Sequence, residues 1–343
     1  MKTSIADLVR RTLVAIAAGV VLFGPAPAQE YTIKFATVAP EGSTWMKTMR
    51  DFDAAVKKES GGRVKFRIYP GGVQGKEQDV LRKITIGQIQ CGGFTGVGLG
   101  EVAPAARILD APFLFRSHAE VDHILEHFTP EFERAFADGG YILLGWAEVG
   151  FVHVFTNTEV RGPEDLRKLK LWTWEGDPLA QAAFRALNLN PIPLSLENVH
   201  TSLQTGLIDA FYTSPYAGLV LQWYTRAKFM VDVPLANAMG AVLISKKYFD
   251  ALPADLQQIV MKNGRTYFRH LTEISRKENE DAVQEFKKRG IRLLMAQEKD
   301  LRVYQDAGRQ ARRELAGKMY SEDLLKRIEA SLAEFRKAPS SGS

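Results

Sequence analysis

The sequence predicts an α/β protein built from doubly wound sheets in two domains. Three observations carry this. Between Tyr31 and Cys91 strand-like runs alternate with helical ones, in the order strand, helix, strand, helix, strand. That order gives a parallel sheet with helices on its faces. The alternation restarts at Val149 with a strand, a short helix and a strand that stops at Pro178. The 343 residues also exceed what one hydrophobic core usually serves.

The chain opens with Lys2, Arg10 and Arg11, an apolar run from Leu13 to Phe23, and Ala26-Pro27-Ala28. This is the layout of a secretory signal peptide, and the run is shorter than the roughly 18 apolar residues that span a membrane. Cleavage is expected after Ala28, by a Sec or a twin-arginine route. It removes three of 45 basic and one of 40 acidic residues, so the mature charge is 42 minus 39, or +3. That mild charge comes with no basic cluster interleaved with aromatics, so nucleic acid is not an expected partner. Cys91 is the only cysteine. An exported chain with one thiol has no internal disulfide, and its core must supply the stability. Beside Gly92 and Gly93, Cys91 reads as a small buried residue rather than a nucleophile.

The elements follow in order. Tyr31 to Thr37 is a strand. Ser43 can cap a helix in which Trp45, Met49, Phe52 and Val56 share a face, stopped by Gly61-Gly62. Val64 to Tyr69 is a strand, Glu77 to Ile86 a helix, and Ile89 to Cys91 the start of a third strand. The run Gly93 to Gly100 follows a strand but fits no phosphate-binding pattern, since no Lys-Ser or Lys-Thr follows it. It reads as backbone left open where the chain passes a ligand. His118, His123 and His127 lie on a polar helix, and His123 to His127 matches H-x-x-E-H. Three fixed positions in five match by chance, no third ligand follows, and a solvated surface explains the helix equally well. No metal or cofactor is expected.

Tyr141 to Trp146 is a strand leading to a chain crossing near Gly150. Val149 to Asn157 alternates β-branched and aromatic residues, Pro163 opens a short helix, and Leu169 to Trp174 is a strand closed by Gly176-Asp177-Pro178. Trp172 and Trp174 are two apart and share a face where the strand stops. Ligands of open α/β sheets sit beyond such strand ends. A binding wall is therefore favoured over a core role for both indoles, with Glu175 beside them. Val199 to Leu207 is an amphipathic helix, Ile208 to Tyr212 a strand, and Thr213-Ser214-Pro215-Tyr216 its terminal loop. Met239 to Ile244 is a strand that returns the chain to the first domain after a crossing near Asn237. Asp255 to about Arg289 is one long helix, with Ile259, Phe268, Leu271, Ile274, Val283 and Phe286 as its apolar stripe. Pro339 to Ser343 is a flexible tail.

Several of these segments, in this order, resemble the solute receptors of tripartite ATP-independent periplasmic (TRAP) transporters. They are the strand ending in Thr156-Asn157, the Pro163-Glu164-Asp165-Leu166 helix start, Leu169-Lys170-Leu171, Asn190 to Leu194, and Glu197 to Ala210. The resemblance runs from about Tyr31 to about Gly317. It implies a periplasmic-binding-protein-like fold, with a hinge and the long helix bracing both domains. Domain I would hold residues 29–149 and about 238–277, domain II residues 150–237 and about 278–325, and residues 326–343 a helix end and the tail. It further implies a periplasmic monomer that hands a small solute to membrane permease subunits. Phe94 and Thr95 stand where the family's first domain lines its cleft. Thr213, following Tyr212, is the nearest match to its polar pocket residue.

Two departures bear on the solute. In the family an arginine follows the Lys-hydrophobic pair and grips a ligand carboxylate; here Trp172 stands in its place. A second arginine often precedes the Thr-Asn; here Val152 does, with His153 beside it. A carboxylate solute (with a protonated His153), a neutral or aromatic one, and a cationic one facing the indoles and Glu175 all remain open. An exported enzyme and a receptor for another transporter class are the alternatives, but no G-x-S-x-G element or paired carboxylates stand out for the first, and no lipid-attachment cysteine stands at the cleavage site for the second.

Overall fold

The structure is a computed structural model that describes residues 29–337. The signal sequence with its cleavage site, and the tail from 338, lie outside the described residues. In chain order the elements are β1 (Tyr31–Thr37), α1 (Thr44–Glu59), β2 (Val64–Tyr69), α2 (Glu77–Thr85), β3 (Cys91–Thr95), α3 (Gly96–Val102), α4 (His118–Asp138) and β4 (Tyr141–Trp146). Then come β5 (Gly150–Thr156), α5 (Pro163–Leu166), β6 (Trp172–Trp174), α6 (Pro178–Ala186), β7 (Ile192–Leu194), α7 (Leu196–Thr205), β8 (Ala210–Thr213) and α8 (Pro215–Val220). The chain closes with β9 (Phe229–Val231), β10 (Ala236–Ala238), β11 (Gly240–Ser245), α9 (Lys246–Asp250), α10 (Ala254–Lys288), β12 (Arg292–Leu294), α11 (Glu298–Leu315) and α12 (Glu322–Phe335). None of the described helices is long and apolar enough to cross a membrane.

Two five-stranded sheets organise the molecule. The first runs β2-β1-β3-β11-β4. β1 is parallel to β2 and β3, and β11 is antiparallel to both its neighbours. The second runs β10-β5-β9-β12, with β8 also paired to β5. A small parallel pair, β6 with β7, joins it through a bridge from Leu171 to Ala210. The core of the first lobe is buried on both faces of its sheet, by Phe52, Cys91, Val242 and Phe268 on one side and Phe94, Leu109, Phe132 and Leu243 on the other.

The chain passes between the lobes twice, at Val149–Gly150 and at Ala238–Gly240, where Ala238 pairs with Gly150. Helix α10 packs on α1 and β4 of the first lobe and on α8 and β12 of the second. Its Asn279 ties it to the first crossing: Nδ2 donates to the Val149 carbonyl at 2.9 Å, and Oδ1 accepts from the Tyr216 N–H at 2.9 Å. Gly150 has φ +110°, and a Cβ there would lie 2.4 Å from Asn279 Nδ2. Only glycine fits both the backbone and the space. Next to the crossing, fully buried Glu148 accepts from Arg276 of α10 at 2.6 and 3.0 Å. From residue 322 the chain forms a whole helix, α12, capped by Ser321 and packed on α4 of the first lobe. The sequence placed only a helix end and a tail beyond residue 325.

Candidate functional site

Strands β3, β6 and β8 end at Thr95, Trp174 and Thr213, and all three residues line one cleft between the lobes. The cleft holds a chamber of about 160 Å³. A water needs roughly 10–15 Å³ of such space, so the chamber suits a solute of on the order of ten heavy atoms. A second chamber of about 160 Å³ adjoins it, walled by Trp45, Phe94, Tyr216 and Leu221 and sharing Thr95, Trp174 and Thr213 with the first.

The glycine-rich run forms the end of β3 and then α3, rather than open backbone. None of Gly96, Gly98 and Gly100 has a positive φ; they are small because charged side chains pack against them. A Cβ on Gly96 would meet Asp110 Oδ2 at 1.7 Å, and one on Gly100 would meet Arg107 Cγ at 2.9 Å. Buried Glu77 caps the same helix, accepting from the Thr95 N–H at 2.7 Å, Thr95 Oγ1 at 2.9 Å and the Gly98 N–H at 2.8 Å. Burial pushes the Glu77 carboxyl up to about 7 despite those bonds.

The cationic group of the main chamber is Arg107, which the sequence reading missed. It comes from a 3₁₀ turn of the first lobe, Pro104–Asp110. Its Nη2 donates to both oxygens of Asp177 in the second lobe, at 2.9 and 3.0 Å, and its Nε lies 3.5 Å from Asp110 Oδ2. Burial opposes its charge, but Asp177 and Asp110 outweigh that and hold the guanidinium above its ordinary pKa. Burial raises Asp110 to about 6, while its Oδ1 accepts from the Met239 N–H at 2.6 Å. One signal was available: Arg107 and Asp110 are the only charges between Val102 and Phe115.

Aromatic rings close the second-lobe side. Trp172 stacks on Tyr212 at 5.0 Å, meets Trp223 edge-on at 5.3 Å, and donates from Nε1 to the Leu194 carbonyl at 3.0 Å. It is 2% exposed and belongs to the second lobe's core as well as to the chamber wall. Trp172 is thus core and wall at once, contrary to the expected choice between the two, because the wall is the inner face of the core. Burial and the nearby Asp177 hold the Tyr212 phenol above its usual range.

Residues 35–319 match the model of a family described as bacterial extracellular solute-binding protein, family 7. The chain belongs to that family. It is 24% identical over 299 residues to the 2,3-diketo-L-gulonate-binding periplasmic protein YiaO of Escherichia coli, covering 86% of this chain and 90% of that one. A TRAP periplasmic solute-binding protein of Ochrobactrum anthropi, solved with its C-terminus in the ligand-binding pocket, superposes with a TM-score of 0.81. It shares 25% identity, over 91% of this chain and 98% of its own. The TRAP protein of Pseudomonas putida F1 with bound D-glucuronate gives a TM-score of 0.80 at 25% identity, over 88% and 97%. Family members are periplasmic receptors that bind small molecules for TRAP permeases, and this chain is such a receptor.

In this family 7 receptor the residues singled out from the sequence take different places. Trp172, Trp174, Tyr212, Thr213 and Thr95 line the main chamber, and Phe94 lines the second. Glu175 lines neither chamber; it lies in an adjoining pocket that shares Trp174 and Leu196 with both, where its carboxylate meets Lys76 Nζ of the first lobe at 3.0 Å. His153 lies outside both chambers. Val152 faces the cleft, and its neighbour on β5 points to the other side of the sheet. His153 Nδ1 is 3.1 Å from the Val231 carbonyl, and burial lowers its pKa. A protonated His153 gripping an acid is therefore corrected. Of the H-x-x-E-H residues, His123 stacks on Phe335 at 4.6 Å with its Nε2 2.8 Å from Ser331 Oγ, while Glu126 and His127 are exposed. Among the described residues no group of three or more metal-ligating side chains converges. Asn237 borders the main chamber with neither amide atom hydrogen-bonded.

Proposed function

We propose that this receptor captures one small organic solute with an apolar, ring-sized body in the chamber between Trp172 and Arg107, and releases it unaltered to its permease. The observation that supports the reading is the chamber itself. It is walled by Trp172, Trp174, Tyr212, Phe113 and Phe184, sits beyond three strand ends, and has few polar groups. Trp172, Trp174, Tyr212, Thr213 and Thr95 are its contacts, Phe94 receives any part that extends into the second chamber, and Glu175 stands in the adjoining pocket. The E. coli and P. putida relatives take sugar acids by name; this lining suits a less polar body.

The mature receptor starts after Ala28, acts as a monomer and binds no nucleic acid. Its domains are residues 29–149 with about 238–277, and 150–237 with about 278–325. They close on the solute about the crossings at Gly150 and Asn237, with α10 bracing both. The decisive experiment is native mass spectrometry of protein taken from the periplasm, followed by calorimetry with the recovered compound. One solute per chain, with unchanged mass after long incubation, is expected. An altered compound, or an empty protein that binds nothing from the growth medium, overturns the reading.

A further inference from the structure

We propose that Asp177 is the specificity-determining residue of the site: its carboxylate occupies the Arg107 guanidinium, and so excludes solutes that carry a carboxylate. The inference rests on the reading of the chamber as the solute site.

A carboxylate taken out of water needs a cationic, hydrogen-bonding partner. Among the described residues Arg107 is the only cation lining the main chamber, and none lines the second. The Nη2 end of that guanidinium is already committed. Asp177 takes Nη2 with both oxygens, and Asp110 Oδ2 lies 3.5 Å from Nε without a hydrogen bond to it. All three side chains are nearly sealed, at 5% exposure for Arg107, 10% for Asp110 and 8% for Asp177, so water screens little of their charge. With all three ionised the cluster carries one negative unit, and Glu77 lies near enough for Arg107 to act on its charge. A further carboxylate would meet repulsion and find Nη2, which both two-nitrogen faces of the guanidinium share, already taken.

The arrangement also spans the cleft. Arg107 belongs to the first lobe, while Asp177 caps α6 in the second and accepts there from the Leu179 N–H at 3.0 Å. The protein's own carboxylate thus makes the cross-lobe contact that a bound acid would make. With Trp172 where the family resemblance places an arginine, the second lobe offers no replacement.

Asp177→Asn removes the charge and keeps the helix cap, since asparagine caps as well as aspartate. Asp177→Ser is a second cap-preserving variant, should the first fail to fold. Benzoate, benzamide and D-glucuronate are titrated by calorimetry into wild type, D177N, D177S and the double variant D177N/R107Q. Wild type should prefer benzamide to benzoate by about tenfold or more. D177N and D177S should gain about tenfold or more for benzoate, and D177N/R107Q should lose that gain. The proposal is overturned if wild type binds benzoate or D-glucuronate as tightly as D177N does. It is overturned equally if the folded variants gain nothing for either acid. The receptor reading is judged apart from this, by whether a solute co-purifies with wild type.

Discussion

Replacing Asn237 by leucine should stabilise the empty protein while weakening solute binding. Asn237 is 0% exposed, and neither Nδ2 nor Oδ1 has a partner. A buried amide without hydrogen bonds costs about 1–3 kcal/mol. Leucine has the same branching and no polar atoms, so Asn237→Leu removes that cost. The added volume can be taken up by the adjoining free chamber, which limits the penalty of overpacking. A net gain of about 1–2 kcal/mol should remain. In a chain this large each kcal/mol moves Tm by roughly 2–4 °C, so a rise of about 2–8 °C is expected by scanning calorimetry. Urea unfolding should give a higher midpoint with an unchanged slope. The energetic logic of a buried, unpaired amide beside a cavity is that a solute supplies its partner. The recovered solute should therefore bind N237L about tenfold more weakly. A fall in Tm would refute the reasoning, because it would mean the amide is satisfied in the empty protein.

Further outcomes follow from the same geometry. Trp172→Ala truncates a side chain that is core and wall together, so it should lower unfolding stability by about 3–5 kcal/mol in urea as well as weaken binding; full stability would show that the stack on Tyr212 carries little. Gly150→Ala, which forces a Cβ onto Asn279 at positive φ, should destabilise by about 2–4 kcal/mol, and near-wild-type unfolding would speak against the crossing described here. Burial holds Glu77 at about 7 and Asp110 at about 6, above their ordinary 4.5 and 3.8. Groups raised in this way stabilise fully below the ordinary values and lose that contribution as pH rises through the folded ones. Wild-type stability should accordingly carry a falling component between about pH 4.5 and 7, and Glu77→Gln should flatten it; parallel pH profiles would exclude Glu77. The exposed Lys76–Glu175 pair in the adjoining pocket should matter little: Lys76→Ala is expected to change affinity slightly at low salt and not at all at high salt, and a large, salt-independent loss would give it a different role.

How much was legible beforehand depends on whether the cause was local. Strand ends, glycine stops and the long helix were readable because periodicity and capping act within a few residues. The expected long helix from Asp255 to about Arg289 differs by one residue at each end from the observed Ala254–Lys288. The shared face of Trp172 and Trp174 came from the two-residue period of a strand, and both rings do line one chamber. His153 was misplaced by the same period: one residue along β5 moves a side chain to the opposite face, and nothing in Val152-His153 says which face is inward. The glycine run was misread because its reason is not its own backbone but Asp110, Arg107 and Glu77 packed against it. Arg107 and Asp177 lie 70 residues apart in different lobes, so no local pattern could pair them. Trp172 and Val152, standing where the family resemblance places arginines, implied a site with less positive charge than the family's and left the solute class open. The structure changes the physical content of that statement: a guanidinium is present, in the other lobe, and its charge is spent on two aspartates. On the proposal made for Asp177, what sets the solute class is not the count of cations but which carboxylate holds the one available, and Arg107 and Asp177 meet there from opposite lobes.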